Sequence, residues 1–353
     1  MENLTLSHAL SKNSVKDLQE MYERYMNEED IDPNAGKQEL IDELLPIIPQ
    51  NEHDRIIDNT FSTPKTRYTA HLGRYDIPVP DETVINENCE KYNTDHDYDS
   101  SLREYQTNRK EKIELVESNT DELIFYYTEM TKRLDYDEDS LESKPIVYSK
   151  RIRIIFDLHE KHVSVFTGSK DLFNQALTAL TVVFDGPIVP LDLNLTGISE
   201  SVRGSFSFHT VKALDFIYHG LSKVGVIGAI NQIDLETSSK SKKPQKVKVQ
   251  GDELLDDKSI CEYLFLHSRD LVGFKLEFSF IHGEHTFKSN IEIGLRDNRI
   301  KVGVKKESYS LDRVKQFFSI LEKTAQTNLT DFGLIDEEET VKILEKIRTR
   351  AIN

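Results

Sequence analysis

Two stretches of this chain, 137 positions apart (295 − 158), alternate apolar and polar residues in the same order. The first, Arg153–Thr167, reads RIIFDLHEKHVSVFT, and the second, Asn290–Lys305, reads NIEIGLRDNRIKVGVK. Because alternation places every second side chain on one face of a strand, each stretch predicts a β-hairpin with a four-residue turn, HEKH or RDNR. The apolar positions that coincide without a gap are Ile154 with Ile291, Phe156 with Ile293, Leu158 with Leu295, Val163 with Ile300 and Val165 with Val302.

The same offset continues into a helical pattern after each hairpin. The apolar stripe is Leu177, Leu180 and Phe184 in the first copy, and Val314, Phe317 and Leu321 in the second. Such a helix can cover the apolar face of its hairpin, and a lone hairpin is only marginally stable. The alternative is chance reuse of a common strand pattern. We predict an α+β fold with a helical N-terminal module followed by a twisted, mostly antiparallel sheet built from two β-hairpin–helix repeats.

Composition shifts along the chain predict six segments. A polar helix is expected over about Leu102–Val116, where opposite charges recur near i, i+4. The segments are a helical hairpin module at 1–61, an acidic linker with the polar helix at 62–120, the first repeat at 121–237, a basic flexible loop at 238–250, the second repeat at 251–330 and a C-terminal amphipathic helix at 331–353.

Helices on one face of the sheet would leave the opposite face exposed. Alternation places Arg151, Arg153, Ser164 and Phe166 there in the first copy, and Glu292, Arg296, Lys301, Gly303 and Lys305 in the second. This pattern predicts a basic stripe that contacts phosphate. In the alternative, the face is an ordinary solvated one, on which Lys and Arg discourage edge-to-edge association. Lys242 and Lys243 in the basic loop could add a flexible phosphate tether.

The segment Ser14–Ile48 resembles a SAP or HeH-type helical hairpin. That pattern has Val-x-x-Leu in a first helix and Gly-Lys-x-x-Leu-Ile-x-x-Leu in a second. The matching residues are Val15, Leu18, Gly36, Lys37, Leu40, Ile41 and Leu44. The resemblance implies DNA association, with Lys37 at a helix N-terminus near phosphate.

Residues 151–195 resemble the saddle region of the CENP-N kinetochore family. The likeness is carried by VSVFTGSKDLFNQALTAL followed by PIVPLDLNL, which reads as hairpin, helix and strand. It implies binding of a nucleosome or a partner protein without catalysis, and it assigns no individual residue.

The net charge of −17 argues against general attraction to polyanions, because the field of the whole molecule repels phosphate at long range. A local basic face remains compatible with this charge, and an acidic chain can also serve a basic protein partner. The N-terminus lacks an apolar signal region, and the apolar runs are too short to span a bilayer. With two distant cysteines, the expectation is a cytoplasmic protein without a membrane partner.

No phosphate-binding glycine loop, nucleophile elbow or CxxC pair is present. We therefore predict no catalytic residue, metal or cofactor, and a non-enzymatic nucleic-acid-associated binding or regulatory protein. One alternative is an assembly factor, or a homo-oligomer, that uses the acidic segment and the C-terminal helix. The other is a metal-dependent nuclease-like hydrolase with Glu277, Glu292 and Lys301 at its site.

Overall fold

The computed structural model describes residues 6–26, 36–50, 52–53, 56, 67–102, 107–137, 142–237, 246–251, 254–282, 285–305 and 311–353. The chain divides into two compact units. The first comprises residues 1–64 and 73–189, and the second comprises residues 65–72 and 190–353.

Helices and strands alternate in groups along the chain. The helices are α1 Leu6–Lys12, α2 Val15–Met26, α3 Lys37–Ile47, α4 Glu82–Asp95, α5 Lys170–Val183, α6 Glu200–Arg203, α7 Phe208–Asp215, α8 Lys258–Phe265, α9 Leu311–Thr330 and α10 Glu337–Ile352. The strands are β1 Arg67–Tyr75, β2 Asn108–Ser118, β3 Glu122–Asp137, β4 Glu142–Asp157, β5 His162–Val165, β6 Ile188–Pro190, β7 Gly225–Glu236, β8 Lys246–Gln250, β9 Asp270–His282, β10 His285–Gly294 and β11 Lys301–Lys305. A π-helix, Phe216–Gly220, and short 3-10 turns complete the secondary structure.

The N-terminal helices α1, α2 and α3 pack around an apolar cluster of their own. Ser14 and Asp17 start α2, because the Asp17 backbone N–H donates to Ser14 Oγ (3.2 Å) and the Ser14 backbone N–H donates to Asp17 Oδ2 (3.0 Å). The buried members of the cluster are Leu6, Ala9, Leu10, Leu18, Tyr22, Leu40, Ile41, Leu44, Ile48 and Ile56.

The first unit contains an antiparallel run of strands in the order β2-β3-β4-β5. Ser169 caps the N-terminus of helix α5, because its Oγ accepts a hydrogen bond from the Leu172 N–H (3.4 Å). One core unites the apolar face of these strands with α4 and α5. Its aromatic members include Phe125, Tyr127, Phe156, Phe173 and Phe184.

The second unit contains an antiparallel sheet in the order β1-β11-β10-β9-β7-β8, to which β1 contributes its residues up to Leu72. Helix α9 covers its apolar face, and the Phe317 ring lies 5.0 Å from Phe280 and 3.8 Å from Phe287, measured between ring centroids. The α+β class and the antiparallel sheet are therefore confirmed. None of the described helices is long and apolar enough to cross a membrane.

The prediction that residues 62–120 form a linker with a polar helix at about 102–116 is wrong. Strand β1 lies within these residues, the helix is α4, and the segment expected to be a polar helix instead forms β2. The charge pattern fits a strand equally well, because residues two apart share one strand face, and Lys112 Nζ lies 2.5 Å from Glu114 Oε1. Pairing of β2 with β3 decides in favour of the strand.

The predicted C-terminal ends of the first repeat, at residue 237, and of the basic flexible loop, at residue 250, are also wrong. The first unit ends at Val189, and β7 belongs to the second unit because it pairs with β9. Residues 246–250 form β8, in which Lys248 lies opposite Asp234 on β7. A cross-strand pair of opposite charges helps to explain why this basic segment is a strand.

The two hairpins do not share a turn length. Four residues, 158–161, connect β4 and β5, whereas six residues, 295–300, connect β10 and β11. The longer connection contains a 3-10 turn, and its apolar ends Leu295 and Ile300 are buried. The residue that pairs with a given position of β10 therefore lies two residues further along β11 than the alignment predicts. Because two residues are one full period of a strand, every side chain stays on its predicted face.

Replacing Gly197 by alanine is expected to lower the free energy of unfolding by about 1–3 kcal/mol. Gly197 has φ +84°, and a Cβ atom there would lie 2.8 Å from the Gly333 backbone N and 2.6 Å from Cε1 of the exposed Phe332 ring. Urea denaturation measures the effect. Gly168→Ala is the matched control, because a Cβ at Gly168 meets no atom within 4 Å. Equal stability of the two variants would contradict this explanation.

Candidate anion-binding site

The structure places the predicted site residues in both units. Arg296, Lys301 and Lys305 belong to the second unit, in the β10–β11 connection and on β11. Arg151, Arg153 and Lys37 belong to the first unit, on β4 and α3. Lys242 and Lys243 lie outside the described residues.

The prediction that Ser164 and Phe166 lie on an exposed face of the first hairpin is wrong. Ser164 and Phe166 are buried, with 5% and 4% of their surface exposed. Arg151 places its guanidinium 4.1 Å from the centroid of the Tyr126 ring, and Tyr126 lies directly opposite Arg153. These two arginines therefore lie on a largely buried face beside an aromatic side chain.

Lys37 is exposed at the first residue of α3, as the helical hairpin resemblance implies. The Gly36 backbone N–H donates to Glu39 Oε2 (3.2 Å). Because a carboxylate already occupies this helix N-terminus, Lys37 is a weak starting point for a phosphate site.

The sheet of the second unit has one apolar and one polar face. Phe274, Leu276, Val302 and Val304 are buried on the apolar face. By alternation and register, the polar face carries Arg67, Thr69 and His71 on β1, Lys301, Gly303 and Lys305 on β11, Glu292 and Gly294 on β10, Gly273 and Lys275 on β9, and Asp234 on β7.

Three cations from three strands converge on Glu292. Lys301 Nζ lies 2.6 Å from Glu292 Oε1, and Lys275 Nζ lies 3.3 Å from Glu292 Oε2. Arg67 forms an ion pair with Oε2 of the same carboxylate. All four side chains are half-buried; 15% of the Glu292 side chain is exposed, and 23–29% of each cation. The single negative charge of Glu292 is thus the shared counterion of three positive charges.

Gly303 makes this convergence possible. It lies directly opposite Thr69 on β1 and Glu292 on β10, so it occupies the strand between Arg67 and its partner. A Cβ atom at Gly303 would lie 2.9 Å from Thr69 Oγ1 and 3.5 Å from Arg67 Cδ. The absent side chain leaves room for Arg67 to cross β11 and reach Glu292.

A second carboxylate, Asp234, lies beside this group. It is the cross-strand partner of Lys248, and its Oδ1 accepts a hydrogen bond from Gln232 Nε2 (2.8 Å). Arg67, Lys248, Lys275 and Lys301, together with Glu292 and Asp234, are called the cation cluster below. Its four cations outnumber its two carboxylates.

The excess positive charge affects the ionisation of the lysines. Burial, followed by repulsion from Arg67, Lys248 and Lys301, holds the pKa of Lys275 below its ordinary value. Burial, followed by repulsion from Arg67, likewise lowers the pKa of Lys301. Burial also lowers the pKa of Arg67. An anion placed among these cations would relieve their repulsion.

The remaining predicted residues lie at the margins of the cation cluster. Lys305 is exposed and is the cross-strand partner of Arg67. Arg296 lies 3.3 Å from Glu236, measured from Nε to Oε2. Sequence reasoning missed Arg67 and Lys275, although both sit in visible alternation: Lys275 follows Phe274 and precedes Leu276 in GFKLEF.

The residues named for the alternative functions lie in different surroundings. Both oxygens of Glu292 hold cations, while Glu277 is exposed. Within the described ranges, no three His, Cys, Asp or Glu side chains come together to hold a metal ion. Helix α10 buries Leu344, Ile347 and Ala351 and packs on α8 and α7 inside its own unit. Its apolar stripe is therefore already covered.

The comparisons of sequence with known proteins find no match. No protein-family model matches the chain, and no curated protein matches it in sequence. One solved structure, that of DynU16 from the dynemicin biosynthetic locus, aligns with 81% of this chain and 100% of its own, at 8% identity and a TM-score of 0.14. A similarity this low supports no conclusion about fold or function.

Proposed function

We propose that the chain is a non-enzymatic nucleic-acid-associated binding protein that holds a phosphate backbone on the cation cluster of its second unit. The observation that supports the proposal is the convergence of Arg67, Lys275 and Lys301 on the one carboxylate of Glu292. The surplus of cations on one polar sheet face suits a ligand that presents several negative charges in a row.

Glu292 acts in this proposal as an internal counterion. Without ligand, it keeps three partly desolvated cations close together and limits their repulsion. A phosphate group entering the cation cluster adds negative charge and competes with Glu292 for the lysines. Phosphate contacts of this kind position a nucleic acid without reading its sequence. The overall charge of −17 repels phosphate at long range, whereas the cation cluster attracts it at short range. Binding therefore depends on this face.

We also propose that β4–β5–α5 and β10–β11–α9 are two copies of one hairpin–helix repeat. The elements follow in the same order, and the aligned apolar residues Ile154, Phe156, Ile291 and Ile293 are all buried. In this proposal, the two copies differ in the polar face of the hairpin. The second copy contributes Lys301 and Glu292 to the cation cluster, whereas in the first copy Arg151 lies against the Tyr126 ring. The SAP-like hairpin would supply Lys37 as an additional phosphate contact through its exposed side chain alone, since Glu39 already occupies the N-terminus of α3.

Affinity for a short duplex is expected to fall steeply with salt, with a log–log slope of about −2.7 or steeper. At least three phosphate contacts, each releasing counterions, give this slope at about 0.9 per contact. Filter binding between about 50 and 200 mM salt measures it. A duplex with an uncharged methylphosphonate backbone is the control and is expected not to bind. No detectable binding of the natural duplex at low salt would contradict the proposal.

A further inference from the structure

A cleft with a volume of about 630 Å³ opens in the second unit, and its lining residue Glu236 lies two residues beyond Asp234 of the cation cluster on β7. The start of α7, the ends of β7 and β9 and the β10–β11 connection form its walls. Of its twelve lining residues, nine are polar, and Leu195, Phe208 and Val272 are apolar. This size is typical of sites for small molecules, and the lining is more polar than is usual for them.

Backbone strain concentrates around this cleft. Ser268 has φ +45°, Asp297 has φ +55° and Asn298 has φ +61°. All three line the cleft, and they make up three of the five residues other than glycine that have positive φ within the described part of the chain. Such conformations persist where the surrounding structure holds a side chain in one place, and they cluster at binding sites.

Two carboxylates face each other in the cleft. Glu236 on β7 and Asp270 on β9 are direct cross-strand partners, and 15% of each side chain is exposed. Like charges in this position are destabilising. Arg296 Nε lies 3.3 Å from Glu236 Oε2, and His209 Nδ1 lies 3.6 Å from Asp270 Oδ1. Among the described residues, the other oxygen of each carboxylate accepts no hydrogen bond.

The two basic side chains that line the cleft, His209 and Arg203, are already engaged. His209 Nε2 lies 2.5 Å from Asn298 Oδ1, so the imidazole is held between an amide and a carboxylate. Arg203 donates to Glu200 and to the Phe206 carbonyl, with its guanidinium 4.7 Å from the Phe208 ring centroid. The cleft therefore offers an excess of hydrogen-bond acceptors beside an apolar wall.

We infer that the cleft binds a planar heterocycle with adjacent N–H donors, of which guanine is the representative. The N1–H and the N2 amino group of guanine point in the same direction and can donate to one carboxylate in a bidentate, charge-assisted arrangement. Phe208 and Val272 offer apolar surface to the ring. Uracil suits the cleft poorly, because two carbonyl oxygens flank its single N3–H and would face Glu236 and Asp270. This inference does not rest on phosphate binding at the cation cluster.

Calorimetric titration of the intact chain with guanosine, inosine and uridine tests the inference, since none of these probes carries a phosphate. Guanosine is expected to bind at or below about 1 mM. Inosine, which lacks only the N2 amino group, is expected to bind about tenfold or more weakly, because one hydrogen bond to a charged group is missing. No guanosine binding, or equal affinity for guanosine and uridine, would overturn the inference.

Two substitutions locate the binding. Asp270→Asn and Glu236→Gln each turn an acceptor into a partial donor, and the substitution at the carboxylate that receives the guanine is expected to weaken guanosine binding about tenfold or more. Glu277→Gln on the exposed side of β9 is the matched control and is expected to leave it unchanged. Unchanged affinity in both cleft variants would overturn the inference. If a variant does not fold, the comparison of guanosine, inosine and uridine with the unmodified chain still decides.

Discussion

Replacing Arg67, Lys275 and Lys301 by methionine, together with Glu292 by glutamine, is expected to weaken binding to duplex DNA on the order of a hundredfold or more at about 0.1 M salt. At this salt concentration, removing a single phosphate interaction weakens binding roughly eightfold, because fewer counterions are released. The variant removes three such interactions of the cation cluster together. Filter binding measures the change.

Glu292 has to change with its partners for the comparison to be interpretable. A carboxylate with 15% of its side chain exposed would otherwise be left without its three cations, and an unpaired, half-buried charge destabilises a fold. The four substitutions lower the net charge from −17 to −19, since three positive charges and one negative charge are removed. Lys91→Met with Lys346→Met gives the same net charge from two exposed positions. This control is expected to bind almost as well as the unmodified chain, and an equal decrease in both would contradict a role for the cation cluster.

Replacing Asp215 by alanine is expected to lower the free energy of unfolding by about 3–5 kcal/mol, the largest stability effect that the structure predicts. Asp215 is fully buried at the end of α7. Its carboxylate accepts hydrogen bonds from the backbone N–H groups of Ile335 (2.8 Å) and Asp336 (3.2 Å) and from Thr340 Oγ1 (3.1 Å). Removing it leaves one buried donor, that of Thr340, and two partly buried backbone donors without their acceptor.

A buried lysine adds to the cost. Lys212 is 1% exposed, and its ammonium donates to the carbonyl oxygens of Asp331 (3.0 Å) and Gly333 (2.6 Å). Burial lowers its pKa, and attraction by Asp215 opposes this shift. Without Asp215, the positive charge of Lys212 loses its buried counterion, which adds to the destabilisation.

Urea denaturation followed by circular dichroism measures the loss of stability. Asp215→Asn is expected to lose less than Asp215→Ala, because one amide oxygen can still accept. Glu345→Ala, at an exposed position of α10, is the matched control and is expected to change stability by no more than about 0.5 kcal/mol. If Asp215→Ala and Glu345→Ala unfold at the same urea concentration, this account of the Asp215 hydrogen bonds is wrong.

The two-residue alternation of apolar and polar side chains predicts most of the features that the sequence and the structure share. Alternation located β10 and β11 and placed Lys301 and Glu292 on the face opposite Val302 and Ile293. The start of α2 was located through Ser14, a residue type that favours helix N-termini. These features depend on neighbours within a few residues, which a sequence displays directly.

The cation cluster could not be assembled in the same way, because its members come from distant strands. Arg67 reaches Glu292 only because β1 pairs with β11 and Gly303 leaves a gap, and no local pattern encodes either fact. Pro64, just before β1, favoured a linker interpretation. Burial of Ser164 and Phe166 likewise depends on tertiary packing, so alternation alone could not show that this face is covered.

The salt dependence of DNA binding tests the role of the cation cluster most directly, when the unmodified chain is compared with the variant that lacks Arg67, Lys275, Lys301 and Glu292. Removing three phosphate interactions is expected to reduce the magnitude of the log–log slope by about 2.7. Two parallel lines with the same slope would mean that these cations never touch phosphate, and would contradict the proposed function of this face.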